Sequence, residues 1–115
     1  MSTEPELDPN AMRGHACDAS RLLKALANEQ RLLIVCLLAS GEHSVTELND
    51  RLDLSQSALS QHLAVLRRDG LVDTRRAAQT IYYSLPPGPV SRIINTLHGI
   101  YCPMTDSSGD APPAA

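Results

Sequence analysis

Apolar residues recur at helical spacing between residues 12 and 39 of the chain. The first series predicts one helix from Met12 to Leu26. Asn28 can cap a second helix, whose body RLLIVCLLA is apolar on nearly every side. A helix with that pattern is normally central and buried. Ser40 and Gly41 predict its end.

Two short helices are predicted next. The residues Ser44–Glu47 have the pattern of a capping box, in which a serine and a glutamate satisfy each other's backbone N–H groups. Ser55 can cap a following helix that runs to about Asp69 and ends at Gly70. Two short helices joined by a turn of a few residues are the layout of a helix-turn-helix.

A β-hairpin and a last helix complete the pattern. The segment LVDTRRAAQTIYYSL is rich in strand-forming residues, although its centre, 77–80, lacks the usual Asn-Gly turn signal. After PPGP, an apolar stripe predicts a helix that ends before Pro103. The sequence therefore predicts a mainly α fold with a small β-hairpin. One domain would span residues 11–102, between disordered tails at 1–10 and 103–115.

The acidic and basic residues are unevenly distributed along the chain. The 115-residue chain has a formal net charge of -3, and most of its excess acid lies in the first twenty residues. The segment 55–85 has four arginines against two aspartates, so the basic excess follows the predicted helix-turn-helix.

Cysteine content and hydropathy help to predict the cell compartment in which the protein is located. The acidic start lacks the apolar segment of a secretory signal, and the longest apolar run, 32–39, is too short to span a membrane. We expect a cytoplasmic protein without membrane association. There Cys17, Cys36 and Cys102 would normally be reduced thiols.

The second helix of the predicted pair divides into two faces. Leu59, Leu63 and Leu66 fall on one side and are predicted to be buried. The other side is short and polar, with cations toward its C-terminal end. It consists of Ser57, Gln61, Ala64 and Arg68, flanked by Gln56, Ser60 and Arg67. Such a face suits the DNA major groove, because short side chains allow close approach and Gln, Ser and Arg can bind base edges. The alternative is a solvated helix face that is rich in Ser and Gln.

The hairpin favours the DNA-binding interpretation. It has Arg75 and Arg76 in its first strand and Gln79 and Thr80 near its tip. A basic hairpin beside a recognition helix is a wing, which can contact the DNA backbone or the minor groove. The sequence thus predicts a winged helix-turn-helix.

Three segments resemble the ArsR/SmtB family of bacterial winged-helix repressors: LKALANEQRLLIVCLL, LSQSALSQHLAVLRRDGLV and AAQTIYYSL. The resemblance covers about residues 20–102. It implies a homodimer built from the first and last helices, a repressor that binds double-stranded operator DNA, and a chemical inducer. It assigns base reading to Gln56, Ser57, Ser60 and Gln61, and wing contacts to Arg75, Arg76, Gln79 and Thr80. It implies no enzyme, and the sequence has no Gly-rich cradle or cofactor motif.

The inducer is the open question. Metal-sensing members of the family have a pair of close cysteines before the recognition helix, whereas SVTELNDRLDL has neither Cys nor His. A second metal pattern, in the last helix, is met only by His98 and Cys102. We therefore expect no metal or cofactor, and a metal- or arsenite-responsive repressor remains the alternative.

Cys36 and Cys102 also resemble the thiol pair of the family's sulfide- and persulfide-responsive branch. That resemblance implies that reactive sulfur or an oxidant joins the two thiols by a disulfide or a polysulfide chain, and that the operator is then released. The alternative for Cys36 is a small core residue in a buried helix. Cys17 has no motif around it and is expected to be a bystander.

Overall fold

The computed structural model describes residues 7–102 of the chain. Within these residues, six helices and three strands form one mainly helical fold, which confirms the predicted class. The helices are α1 (Pro9–Arg13), α2 (Ala16–Leu26), α3 (Glu29–Ala39), α4 (Val45–Arg51), α5 (Gln56–Arg68) and α6 (Pro89–Tyr101); the strands are β1 (His43–Ser44), β2 (Asp73–Ala77) and β3 (Thr80–Ser84). Within this range no helix is both long enough and apolar enough to cross a bilayer.

The first helical segment differs from the prediction. It is divided into α1 and α2 at Gly14 and His15, and glycine is a poor helix former. Helix α1 begins at Pro9, inside the segment 1–10 that was predicted to be disordered. The Asp8 carboxylate accepts a hydrogen bond from the Asn10 N–H at 2.9 Å, and proline is favoured at a first helical position. Residues 1–6 and the predicted tail at 103–115 lie outside the described range.

Helix α3 lies at the centre of the fold. Ile34 and Val35 have no exposed surface, and α3 contacts α2, α5, α6 and β3. The prediction that α3 is buried on all sides is wrong for the single chain, because Leu33 is 47% exposed and Cys36 is also exposed. The core covers only the side of α3 that includes Ile34, Val35 and Leu38.

The predicted helix caps are confirmed. Ser44 Oγ accepts from the Glu47 N–H at 3.1 Å, and the Glu47 carboxylate accepts from the Ser44 N–H at 2.8 Å. Asn28 caps α3 and Ser55 caps α5, each with a side-chain oxygen that accepts one backbone N–H of the first turn and without a reciprocal bond. Gly70 has a φ of 73°, a left-handed conformation that suits glycine at the end of a helix.

The sheet contains one strand more than the predicted hairpin. Strands β2 and β3 pair from Asp73↔Ser84 to Ala77↔Thr80, and the short β1 pairs with β3 through Ser44↔Tyr82. The strand order is β1-β3-β2. Because α4 begins directly after β1, this pairing attaches the wing to the first helix of the helix-turn-helix.

We predict that Ser44→Ala lowers the free energy of unfolding by about 1 kcal/mol, since it leaves the first backbone N–H groups of α4 without their cap. Thr46→Ala, in the same first turn but exposed, should change it by less than about 0.5 kcal/mol. Urea unfolding at one fixed protein concentration measures both. Equal effects of the two substitutions would contradict the capping role.

Candidate functional site

The polar face of α5 is exposed as predicted. Leu59, Leu63 and Leu66 point into the core with at most 2% of their surface exposed. The side chains on the opposite, exposed face are Gln56, Ser57, Ser60, Gln61, Ala64, Arg67 and Arg68. The helix therefore presents short side chains with hydrogen-bonding groups toward its N-terminal end and two guanidinium groups toward its C-terminal end.

Of these two cations, Arg68 forms an ion pair with a neighbouring carboxylate. Its Nε lies 3.5 Å from the Asp69 carboxylate, and its side chain is 71% exposed. An ion pair this long and this exposed is weak, so Arg68 can exchange Asp69 for a phosphate. Arg67 and Arg68 also line a shallow depression of about 470 Å³ beside Ser60 and Ala64.

The wing places all four predicted contact residues on its surface. Arg75, Arg76, Gln79 and Thr80 are exposed, and Gln79 lies in the two-residue turn. Arg75 and Arg76 are neighbours in β2, so their side chains point to opposite faces of the sheet.

Arg75 has an internal partner that the sequence did not predict. Its Nε and Nη2 donate to the Glu42 carboxylate at 2.9 and 2.8 Å, and its guanidinium carbon lies 4.6 Å from the centroid of the Tyr82 ring. The hydrogen bond and the charge of Arg75 lower the pKa of Glu42, and Glu42 raises the pKa of Arg75. No periodic pattern links these two residues, which are 33 positions apart.

The thiols occupy three exposed positions. Cys17 lies in the first turn of α2, Cys36 on the uncovered face of α3, and Cys102 directly after α6, and all three are free. Cys36 is therefore not the buried core residue that the apolar pattern of α3 favoured. It follows Ile34 by about 200° around the helix, which places it on the side away from the core.

The fold brings Cys36 within electrostatic range of Cys102. Partial desolvation raises the pKa of the Cys36 thiol, and the charge of Cys102 raises it further. Since α3 packs against α6, the two cysteines reach the same end of the molecule although 65 residues separate them in the chain. A raised pKa keeps Cys36 mainly as the thiol at neutral pH, which slows its reaction as a nucleophile.

A metal site has less support among the described residues. His98 is exposed one turn before Cys102, and its carbonyl oxygen accepts the Cys102 N–H at 2.7 Å. Within residues 7–102 of one chain, no three His, Cys, Asp or Glu side chains lie close enough together to hold a metal ion.

Comparison with known proteins agrees with this architecture. Residues 28–74 match the family described as bacterial regulatory protein, arsR family. The transcriptional activator HlyU of Vibrio cholerae is 57% identical over 91 residues, which are 79% of this chain and 84% of HlyU. The chain belongs to the ArsR family. The predicted resemblance is thereby confirmed at the level of the family.

Other ArsR-family comparisons extend the match to function and fold. The biofilm growth-associated repressor of Agrobacterium fabrum is 46% identical over 97 residues, 84% of this chain and 83% of the repressor. Reduced HlyU from Vibrio cholerae superposes with a TM-score of 0.76 at 56% identity, over 80% of this chain and 97% of HlyU.

A homodimeric winged helix-turn-helix DNA-binding domain from Mycobacterium bovis superposes with a TM-score of 0.68 at 29% identity, over 87% and 89% of the two chains. This protein is therefore a winged helix-turn-helix, DNA-binding transcriptional regulator and not an enzyme.

The raised pKa of Cys36 gives a pH prediction. Because the thiolate is disfavoured, the alkylation rate of Cys36 by iodoacetamide should rise with pH to a midpoint above that of an unperturbed cysteine thiol. Cys102→Ser should lower this midpoint, since it removes the second cause of the shift, and Cys17→Ser should leave it unchanged. Peptide mass spectrometry of samples labelled across a pH series measures each site. An unchanged midpoint in Cys102→Ser would show that the two sulfur atoms do not interact.

Proposed function

We propose that this ArsR-family regulator is a cytoplasmic, homodimeric repressor controlled by its thiols. It binds operator DNA while Cys36 and Cys102 are reduced, and it releases the DNA when a disulfide or a polysulfide chain joins them. The observation that supports this proposal most directly is the packing of α3, which carries the exposed Cys36, against α6, which is followed directly by the exposed Cys102.

The exposed face of α5 would enter the major groove. Gln56, Ser57, Ser60 and Gln61 are short enough to let the helix backbone approach, and their amides and hydroxyls can pair with base edges. The DNA sugar–phosphate backbone would be contacted by Arg67 and Arg68 of α5 and by the wing residues Arg76, Gln79 and Thr80.

A second copy of the chain would cover the apolar surface that one chain leaves exposed. Leu23 in α2 is 57% exposed, and Ile100 and Tyr101 at the end of α6 are 60% and 79% exposed. Large apolar side chains of this kind are typical of an interface when several occur together. A two-fold dimer through these helices would present two α5 helices to half-sites about 34 Å apart on one face of the DNA.

The proposed bridge would act on the dimer through α3. This helix packs against both α5 and α6. A covalent link between α3 and the end of α6 would therefore restrain α5, the proposed DNA-reading helix, relative to α6, the proposed dimerisation helix. Joining the thiols removes two electrons and two protons. Peroxide accepts them and is reduced to water, whereas a polysulfide accepts them, releases sulfide and supplies the inner sulfur atoms of any longer bridge. A coupling of about 1–3 kcal/mol between bridge and DNA would change the affinity about 5- to 150-fold.

A metalloregulator of the same fold is the second candidate, because His98 and Cys102 could supply two ligands from each subunit of a dimer. Tetrahedral zinc binding would then use four such ligands. Stoichiometric, tight binding of zinc or arsenite that weakens operator affinity would favour this candidate over the thiol switch.

The assignment of base reading to α5 predicts the effect of Gln61→Ala. It should weaken binding by about 1–3 kcal/mol at the base pair that Gln61 contacts and should relax the preference for that base. Ala64→Ser, on the same exposed face, is the matched control for a small change of shape. Selection of binding sites from a random duplex library, followed by affinity measurement, tests both. An unchanged base preference in Gln61→Ala would remove that residue from the reading face.

The thiol proposal predicts that Cys36→Ser and Cys102→Ser each bind operator as the parent does but keep it in the presence of polysulfide. Cys17→Ser should still release it. A gel-shift titration against polysulfide measures release, and mass spectrometry of the same samples measures the Cys36–Cys102 link. Release by either Cys36→Ser or Cys102→Ser at the parent's polysulfide concentration would exclude the pair as the sensor.

A further inference from the structure

We propose that Arg75 positions the wing through Glu42 and does not itself contact DNA. Arg75 was expected to bind DNA because it is a cation in the wing. Its side chain instead joins the outermost strand of the wing to the segment that leads into the helix-turn-helix. It would therefore be a positioning residue for the DNA-binding function.

The arrangement spans the whole sheet. Arg75 in β2 is opposite Tyr82 in β3, and Tyr82 is opposite Ser44 in β1. Directly opposed residues of antiparallel strands project to the same face. From that face the Arg75 side chain passes over the Tyr82 ring, 4.6 Å from its centroid, and reaches Glu42 just before β1.

This contact joins two parts of the sheet that have no direct pairing. Strand β2 pairs with β3 only, whereas β1 lies on the other side of β3. Ser44 at the end of β1 caps α4, so Glu42 and β1 are fixed to the helix-turn-helix. The Arg75–Glu42 pair thus restrains the edge strand that bears Arg76, whose side chain projects from the opposite face.

The chemistry of the pair disfavours Arg75 as a phosphate ligand. The fork of Nε and Nη2 already holds both oxygens of one carboxylate, which is the geometry that a phosphate would need. A phosphate that displaced Glu42 would leave an ionised carboxylate without its partner beside the negatively charged DNA backbone. The neutral pair contributes no net charge to counterion release.

Charge exchange tests the proposal. Arg75→Glu should weaken operator binding about tenfold, because it sets two carboxylates against each other and loosens the wing. The double variant Arg75→Glu/Glu42→Arg, which has the parent's net charge, should restore affinity to within about threefold and keep the parent's dependence on salt. The operator is a duplex selected by the parent protein from a random library, and affinity is measured over a series of salt concentrations.

Arg76→Glu is the matched control on the other face of the same strand. Arg76 is proposed to contact a phosphate, so its loss should reduce the steepness of log affinity against log salt by about 0.9. Adding Glu42→Arg to Arg76→Glu should not restore the affinity for operator DNA. Circular dichroism and thermal unfolding confirm that each variant is folded.

Three results would overturn the proposal. The first is a double variant that binds as weakly as Arg75→Glu with a reduced salt slope, which would make Arg75 a phosphate contact. The second is an Arg75→Glu variant that binds as the parent does, which would make the pair irrelevant to the wing. The third is an equal rescue of Arg76→Glu by Glu42→Arg, which would reduce the effect to overall charge.

Discussion

The packing of α3 against α5 and α6 is the contact on which the rest of the structure depends. Ile34 and Val35 of α3 and Leu59 and Leu66 of α5 are all fully buried and belong to one core cluster. Removing a side chain from such a contact costs about 2–5 kcal/mol, so α5 is held firmly with its polar face outward. The same α3 bears Cys36 on its uncovered side. One helix therefore supports the DNA-reading surface and also carries one of the two thiols.

The sequence was most informative where the physical signal is local. Caps at Ser44 and Ser55 are short-range hydrogen bonds, and the two faces of α5 follow from helical spacing, so both could be read from a few residues. Strand β1 was missed because two residues show no alternation, and its pairing with β3 lies about forty residues away in sequence. The Glu42–Arg75 pair depends on that same long-range pairing. The uncovered face of α3 was mistaken for core because an apolar pattern does not distinguish burial within a chain from burial between two chains.

The difference between burial within one chain and burial between two chains also affects the surface around Cys36. An exposed face with Leu33 and Cys36 in the centre of an apolar helix is unfavourable for an isolated chain, and the exposed Ile100 and Tyr101 add to that cost. A dimer would relieve it and would place the thiols beside the interface. The direction of regulation is a separate matter: HlyU of Vibrio cholerae is an activator and the related Agrobacterium protein a repressor. A winged helix-turn-helix binds DNA in either case.

The proposed switch requires that a link between α3 and the end of α6 change the spacing of the two DNA-reading units. The most direct test is pulsed electron paramagnetic resonance on the dimer, with a spin label on a non-natural side chain at Asp50, an exposed position of α4 that leaves all three cysteines unmodified. We expect one distance distribution for the reduced dimer and a shifted one after polysulfide treatment, with no shift in Cys102→Ser. Release of operator DNA with the distance distribution unchanged would contradict the proposed switch.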